Sequence, residues 1–231
     1  NNSGTINIIF SDFTANTAAS KGGAIYNKKG TINVQYTNFT SNNAQFSADG
    51  AESIYGGAIY NTEKGKCNFS FCNFTNNISH SSVGGTYPMP NASSYGGAIY
   101  NDDLCSMNII NSSFKGNQST ASNFCCQSLS YGGAIYSLGN LSVKNSTFYQ
   151  NRSETSCGSY TPYSIAFASG IYGDTVLLES CSFNKNSSYA DWGYSTQISN
   201  GALDCDGRDT EALNCKPITN LKEKSELSNL H

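Results

Sequence analysis

Residues 22–42 read GGAIYNKKGTINVQYTNFTSN, and the two short motifs at its ends, GGAIY and F-x-x-N, decide the fold. GGAIY returns at Gly56–Tyr60, Gly96–Tyr100 and Gly132–Tyr136, with weaker copies at Ser169–Tyr172 (SGIY) and Asn200–Leu203 (NGAL). F-x-x-N begins at Phe13, Phe39, Phe74, Phe114, Phe148 and Phe183 and ends at Asn16, Asn42, Asn77, Asn117, Asn151 and Asn186. The two motifs alternate along the chain. A unit that recurs at this period and cannot bury its own apolar face stacks on its neighbours as a solenoid.

Working outward from the motifs, the spacing separates two halves of each repeat. From the second Gly of each GGAIY copy to the next Phe is 16, 17, 17, 15 and 13 residues; from each FxxN Asn to the next GGAIY copy, 5, 13, 18, 14 and 17 residues intervene. The near-constant half reads as walls and the variable half as a loop that leaves the stack at one corner. Within the constant half, Ile32, Val34 and Tyr36 alternate with Asn33, Gln35 and Thr37, the period of a half-buried strand. GGAIY suits a short buried strand in which Gly and Ala allow close backbone approach.

Stacked in parallel register, like residues form columns at a strand spacing of about 4.8 Å. Ile25, Ile59, Ile99, Ile135 and Ile171 make one core column, the FxxN phenylalanines a second, and Tyr55, Tyr95 and Tyr131 a third ladder. The FxxN asparagines are expected at a turn, where Asn tolerates left-handed backbone and its amide can bond from coil to coil. The expectation is an all-β, right-handed parallel β-helix of about six coils, its hand set by the crossover preference of parallel strands. Residues 1–203 form the helix and 204–231 a cap or tail. A β-propeller shares the period, but needs four even strands per blade and loops that vary at more than one place.

Composition bounds the function. The 231 residues carry a formal net charge of −3, with 13 Lys and Arg and no basic run, which excludes a phosphate-binding surface and so nucleic acid. No apolar run reaches the ~20 residues of a membrane helix. Nine cysteines read as a disulfide set of an oxidising compartment. With two His and no C-x-x-C pair, no metal site is expected, and no cofactor. The chain starts inside a repeat without an initiator Met, as a trimmed piece of a longer protein does.

GGAI and FxxN in alternation, from Phe13 to about Tyr172, resemble the repeat of the polymorphic outer membrane proteins of chlamydiae and the related Pmp-like surface proteins of some protists. The resemblance implies a β-helical surface passenger acting in adhesion, extracellular or at the cell surface, with no catalytic residues to transfer. The sequence differs from that pattern in showing no C-terminal membrane barrel and in its many N-glycosylation sequons, which suit a eukaryotic secretory origin.

Candidate residues fall into three groups. Sequons stand at Asn1, Asn38, Asn68, Asn73, Asn77, Asn91, Asn111, Asn117, Asn140, Asn145, Asn151 and Asn186. Composition alone generates some of these; Asn38 and Asn73, just before Phe, and Asn111 and Asn145, three residues before it, fall in register. Disulfide candidates are Cys67 with Cys105 on adjacent coils, Cys125, Cys126 and Cys157 in the variable loops, and Cys205 with Cys215; Cys72 and Cys181, two residues before Phe and three coils apart, suit buried free thiols. Loop aromatics Tyr87, Tyr160, Tyr163, Tyr189, Trp192 and Tyr194 are the candidate contact residues, with chemistry like that of a paratope or a sugar-stacking surface. Asp204, Asp206 and Asp209 miss calcium-loop spacing, and Asp102–Asp103 reads as a solvated turn. Wall positions carry Asn, Ser and Thr rather than paired carboxylates, so hydrolase chemistry has little to work with. The expected function is therefore non-enzymatic: a glycosylated structural or adhesive module with copies of itself, other surface proteins or glycans as partners. The alternative is a carbohydrate-binding module or carbohydrate-active enzyme using the Tyr and Trp loops.

Overall fold

The computed structural model describes residues 4–48, 53–84, 91–123, 127–157, 164–190 and 193–196. Every regular element among them is a β-strand, and every strand pairing is parallel. The strands stack into a parallel β-helix with four sheets. One wall holds the strands that follow each GGAIY copy, such as Thr31–Gln35, Lys66–Ser70 and Ser106–Ile110. The GGAIY strands Ile25–Lys28, Ile59–Thr62 and Ile99–Asn101 belong to the same sheet, joined to it through the long strand Ile135–Lys144. The second sheet consists of six three-residue strands, each centred on an FxxN Phe.

The third and fourth sheets correct the expected loop. The variable half of the repeat is itself mostly strand: Ile78–Val83, Gln118–Asn123 and Arg152–Cys157 form the third sheet, and Ser53–Tyr55, Ala92–Tyr95, Ser128–Tyr131 and Ser164–Phe167 the fourth. Variable length is confined to the connection between these two sheets. The tail at 204–231 lies outside the described residues.

Columns of identical residues build the core. Ile59, Ile99, Ile135 and Ile171 are fully buried in register, with Ile25 half-buried below them. Phe13, Phe39, Phe74, Phe114, Phe148 and Phe183 stack face to face, centroids 4.7–5.0 Å apart. Each stacked pair contributes about 1 kcal/mol beyond the area it buries. The opposite side of the interior is hydroxylic: Ser79, Ser94, Ser119, Ser130 and Ser153 are fully buried and bond one another between the third and fourth sheets, as in Ser79 Oγ···Ser94 Oγ at 2.7 Å and Ser130 Oγ···Ser153 Oγ at 2.9 Å. A core with an apolar side of Ile, Val and Phe and a hydroxyl side of Ser explains how a chain with only 38% hydrophobic residues fills an interior.

The two glycines of GGAIY do different work. Gly96 holds a left-handed turn at φ +68°, where an L side chain is strained, while a Cβ on Gly97 would collide with the carbonyl oxygens of Gly133 and Gln118.

The FxxN asparagine is the other fixed point. Asn77 Oδ1 accepts from both the backbone N–H and Nδ2 of Asn42, each at 3.0 Å; Asn77 Nδ2 donates to Phe39 O at 2.9 Å and to Asn117 Oδ1 at 2.9 Å. Both lone pairs and both N–H groups of the amide are thus used, which is all a carboxamide offers. The pattern repeats through Asn117, Asn151 and Asn186. The asparagines themselves are not left-handed. The residue before each one is: Ala15, Ser41, Asn76, Gly116, Gln150 and Lys185 all have φ of 54–64°. A second amide ladder, Asn27–Asn61–Asn101, closes on Ser137 beside GGAIY, with Asn61 Nδ2 donating to Asn101 Oδ1 at 2.8 Å.

Candidate functional site

The outer faces and the corners of the stack are surfaces that can meet a partner. The corner between the first and second sheets is the most unusual. It carries Phe10, Tyr36, Phe71, Asn111, Asn145 and Ser180 in one column, each left-handed with φ of 49–54°. The backbone N–H of each of the first five donates to the following coil, as Tyr36 does to Ser70 O at 3.1 Å and Asn111 to Lys144 O at 3.0 Å. A left-handed residue reverses the alternation of the strand before it. Tyr36 therefore points outward, against the expectation that it continues the inward series of Ile32 and Val34, and Thr37 turns in and is fully buried. Phe10, Tyr36 and Phe71 stand 77%, 47% and 47% exposed and stack at 4.9 and 5.0 Å. Bulky residues at positive φ are outliers, and holding them there costs about 1–2 kcal/mol each.

The column behind this corner explains the cysteines. Thr37, Ser112 and Ser146 turn their hydroxyls back on the carbonyl two residues earlier, as Thr37 Oγ1 does to Gln35 O at 2.9 Å. Cys72 and Cys181 occupy the same place and make the same contact through sulfur, to Ser70 O and Glu179 O. Both are free thiols, as expected, Cys72 buried and Cys181 half-buried. Cys67 and Cys105, expected as a disulfide pair, are also free and buried. Cys67 pairs in register with Met107, whereas Cys105 sits two residues earlier, before Ser106, which opposes Lys66. One strand step and two residues put their Cα atoms roughly 8 Å apart, beyond disulfide reach. Burial pushes both thiols up in pKa. Cys125, Cys126, Cys205 and Cys215 lie outside the described residues, as does the side chain of Cys157.

The sequons divide sharply. Asn38, Asn68, Asn73, Asn91, Asn111, Asn140 and Asn145 are exposed. Asn77, Asn117, Asn151 and Asn186 are not acceptor sites on the folded chain: they are the buried FxxN ladder, at most 3% exposed. Their sequons arise because two structural columns lie two residues apart, the amide ladder and the hydroxyl ladder of Ser79, Ser119, Ser153 and Ser188. A sugar on any of them has no room. Asn1 lies outside the described residues.

Of the loop aromatics, Tyr87, Tyr160, Tyr163 and Trp192 lie outside the described residues, as does the side chain of Tyr194. Tyr189 is on a third-sheet strand, 48% exposed, in register with Glu154, Thr120, His80 and Gln45. Tyr189, Glu154, Thr120 and His80 line a shallow groove of about 440 Å³ with Ser122 and Ser156. His80 Nδ1 and Thr120 Oγ1 lie 2.7 Å apart, and burial lowers the imidazole pKa, favouring the neutral ring. Arg152 pairs with Glu154 at 3.0 Å.

The tyrosines before and within GGAIY form a double ladder, as expected for Tyr55, Tyr95 and Tyr131, which continue to Phe167. They meet Tyr100, Tyr136 and Tyr172 edge to face, and Tyr55 meets Tyr60 at a tilt. Burial pushes the phenols of Tyr60 and Tyr131 up to about 12, and those of Tyr100 and Tyr136 further. Asp102 accepts from Thr62 Oγ1 at 2.6 Å and Tyr100 OH at 3.3 Å, which makes it a structural acceptor at its turn. Among the described residues no group of His, Cys, Asp and Glu could hold a metal ion.

The model of the Chlamydia polymorphic membrane protein repeat matches residues 8–28, 71–102 and 111–138. These segments contain three FxxN copies and three GGAIY copies, so the similarity to that repeat rests on the two alternating motifs. No curated protein and no solved structure matches the chain.

Proposed function

We propose that the chain is a stiff module of a cell surface, acting as a spacer that presents its outer walls for adhesion, and not an enzyme. The observation that carries this reading is the Pmp-type repeat folded as unbroken ladders, in which every coil repeats the same bonds as the last. Such a stack resists bending and lengthens by whole coils. The edge strand Thr5–Ile9 pairs on one side only among the described residues, with Ile6 40% exposed. An edge strand of this kind is able to pair with a further coil, which supports the reading of end-to-end assembly into filaments. Surface biotinylation of intact cells with electron microscopy of the released protein tests the reading. Labelled rods or filaments, and loss of cell attachment on adding the free protein, support it; an unlabelled chain confined to the interior overturns it.

A second reading, glycan binding, is favoured by Tyr189 beside the hydrogen-bonding row of Glu154, Thr120 and His80. Binding of linear oligosaccharides that Tyr189→Ala abolishes supports it, and an empty glycan screen removes it.

A further inference from the structure

The corner column changes character halfway along the stack. In three coils it holds Phe10, Tyr36 and Phe71; in the next two it holds Asn111 and Asn145. The backbone is the same throughout, at φ of 49–54°. Asn is at home in that conformation and aromatic residues are not. Asn111 and Asn145 begin the sequons NSS and NST and are exposed. Four of the five other exposed sequons spend their amide in the fold, Asn38 Nδ2 donating to Asp12, Asn68 to Asn33, Asn73 to Asn38 and Asn91 to Gln127; Asn140, outside the corner column, is the exception. The Asn111 and Asn145 amides make no such bond. Phe71 ends the aromatic stack. One face of its ring meets Tyr36 at 5.0 Å, and the other looks toward the coil of Asn111, whose turn repeats its own.

We propose that Asn111 carries an N-linked sugar whose first ring rests on the free face of Phe71, so that the corner continues from aromatic rungs into sugar. In the transfer, the Asn111 amide nitrogen forms a bond to C1 of the glycan of a lipid-linked pyrophosphate donor. The C1–O bond to pyrophosphate breaks, the lipid pyrophosphate leaves with the electron pair, and the amide gives up one proton. The apolar C–H face of a pyranose ring packs against an aromatic face as another ring does. Asn145 is the built-in comparison: same turn, same exposure, same sequon class, but Asn111 rather than an aromatic on the rung beneath it. The proposal rests on the surface reading only in requiring passage through a glycosylating secretory route.

The test uses protein purified from its native cells after surface biotinylation. Peptide mapping is expected to show sugar on Asn111 and none on Asn77, Asn117, Asn151 or Asn186. Asn111→Gln, which keeps an exposed polar side chain, is expected to lower Tm by about 2–4 °C. Asn145→Gln is expected to lower Tm by less, through the cost of Gln in the left-handed turn alone and equally in either background, and in a Phe71→Ser background Asn111→Gln is expected to fall to that same smaller loss. Bare Asn111 in biotinylated protein overturns the modification while the surface reading stands. Sugar on Asn111 in protein that biotin does not reach supports the modification and removes the surface reading. A Tm shift equal in both backgrounds overturns the seating on Phe71.

Discussion

Two corners flank each three-residue FxxN strand, and they treat the same residue type in opposite ways. The corner before the strand carries Asn111 and Asn145 into solvent, while the corner after it draws Asn117 and Asn151 fully inside. All four lie in sequons. The difference comes from one left-handed residue. Before the strand, the left-handed position is the asparagine itself, and its side chain leaves the wall. After the strand, the left-handed position is the residue ahead of the asparagine, Gly116 or Gln150, and the asparagine turns in. Position relative to that twist, rather than residue identity, decides whether an amide is structural or presented. The left-handed position of the first corner holds Phe, Tyr, Asn or Ser; the position just after the left-handed residue of the second holds Asn in all six coils.

The sharpest way to break this comparison is Asn117→Ala against Asn111→Ala. The first removes the acceptor of Asn77 N and Nδ2 and the donor to Phe74 O and Asn151 Oδ1, all buried. At roughly 1–3 kcal/mol for each buried group left unpaired, a loss of about 4 kcal/mol is expected. Asn111→Ala is expected to lose about 1 kcal/mol, the cost of Ala in a left-handed turn. Urea denaturation of both variants checks this, and equal losses would mean that the corners are not distinct.

Phe114→Ala against Phe71→Ala is the next comparison. Phe114 is fully buried between Phe74 and Phe148, and its loss is expected to cost about 3–4 kcal/mol. Phe71 has one stacked partner and is half in water, so about 1 kcal/mol is expected from its truncation.

The double tyrosine ladder gives a pH-dependent version. The Tyr60 and Tyr131 phenols are raised by burial from their ordinary 10 to about 12, and Tyr95 and Tyr172 are raised as well. In the unfolded chain these groups titrate near 10, so the folded state holds its protons longer. Their stabilising contribution is intact below pH 10 and is lost as pH rises through 12. Ultraviolet titration of phenolate is expected to show these rings ionising together with loss of β-sheet circular dichroism; ionisation near pH 10 with the sheet intact would show that the ladder is open to water.

The smallest effect expected is from Tyr36→Asn. It relieves a strained aromatic turn and loses two ring stacks, terms that nearly cancel, so a change within about 1 kcal/mol is expected in thermal unfolding.

Most of the architecture was legible in residues that recur. The Ile and Phe columns, the tyrosine ladder and the FxxN amide ladder follow from repetition alone, because a parallel stack superimposes like positions. The corners were not legible, for a physical reason. Period-two alternation in TINVQYTNFT runs on through Tyr36, and nothing in the side chain of Tyr announces a left-handed backbone. A signal was present elsewhere in the column, since Asn111 and Asn145 favour that conformation, but it appears only once the coils are aligned. The buried sequons misled because two ladders two residues apart write N-x-S by necessity. Cys72 and Cys181 occupy a serine and threonine column, and Cys67 a column of Ile32, Met107 and Leu141, so alignment by coil also shows why no cysteine lies opposite them in register. The Asn27–Asn61–Asn101 ladder could have been read from GGAIY extended by one residue to GGAIYN.

The amide ladder also has a sense of direction. Each FxxN turn offers its backbone N–H and its Nδ2 to the Oδ1 of the coil that comes after it in the chain. A coil emerging from a ribosome or a translocation pore is therefore not locked until its successor arrives, and the youngest coil is always one latch short. Growth of the stack is a ratchet: every new turn fastens the one before, and slipping back means undoing two bonds at once.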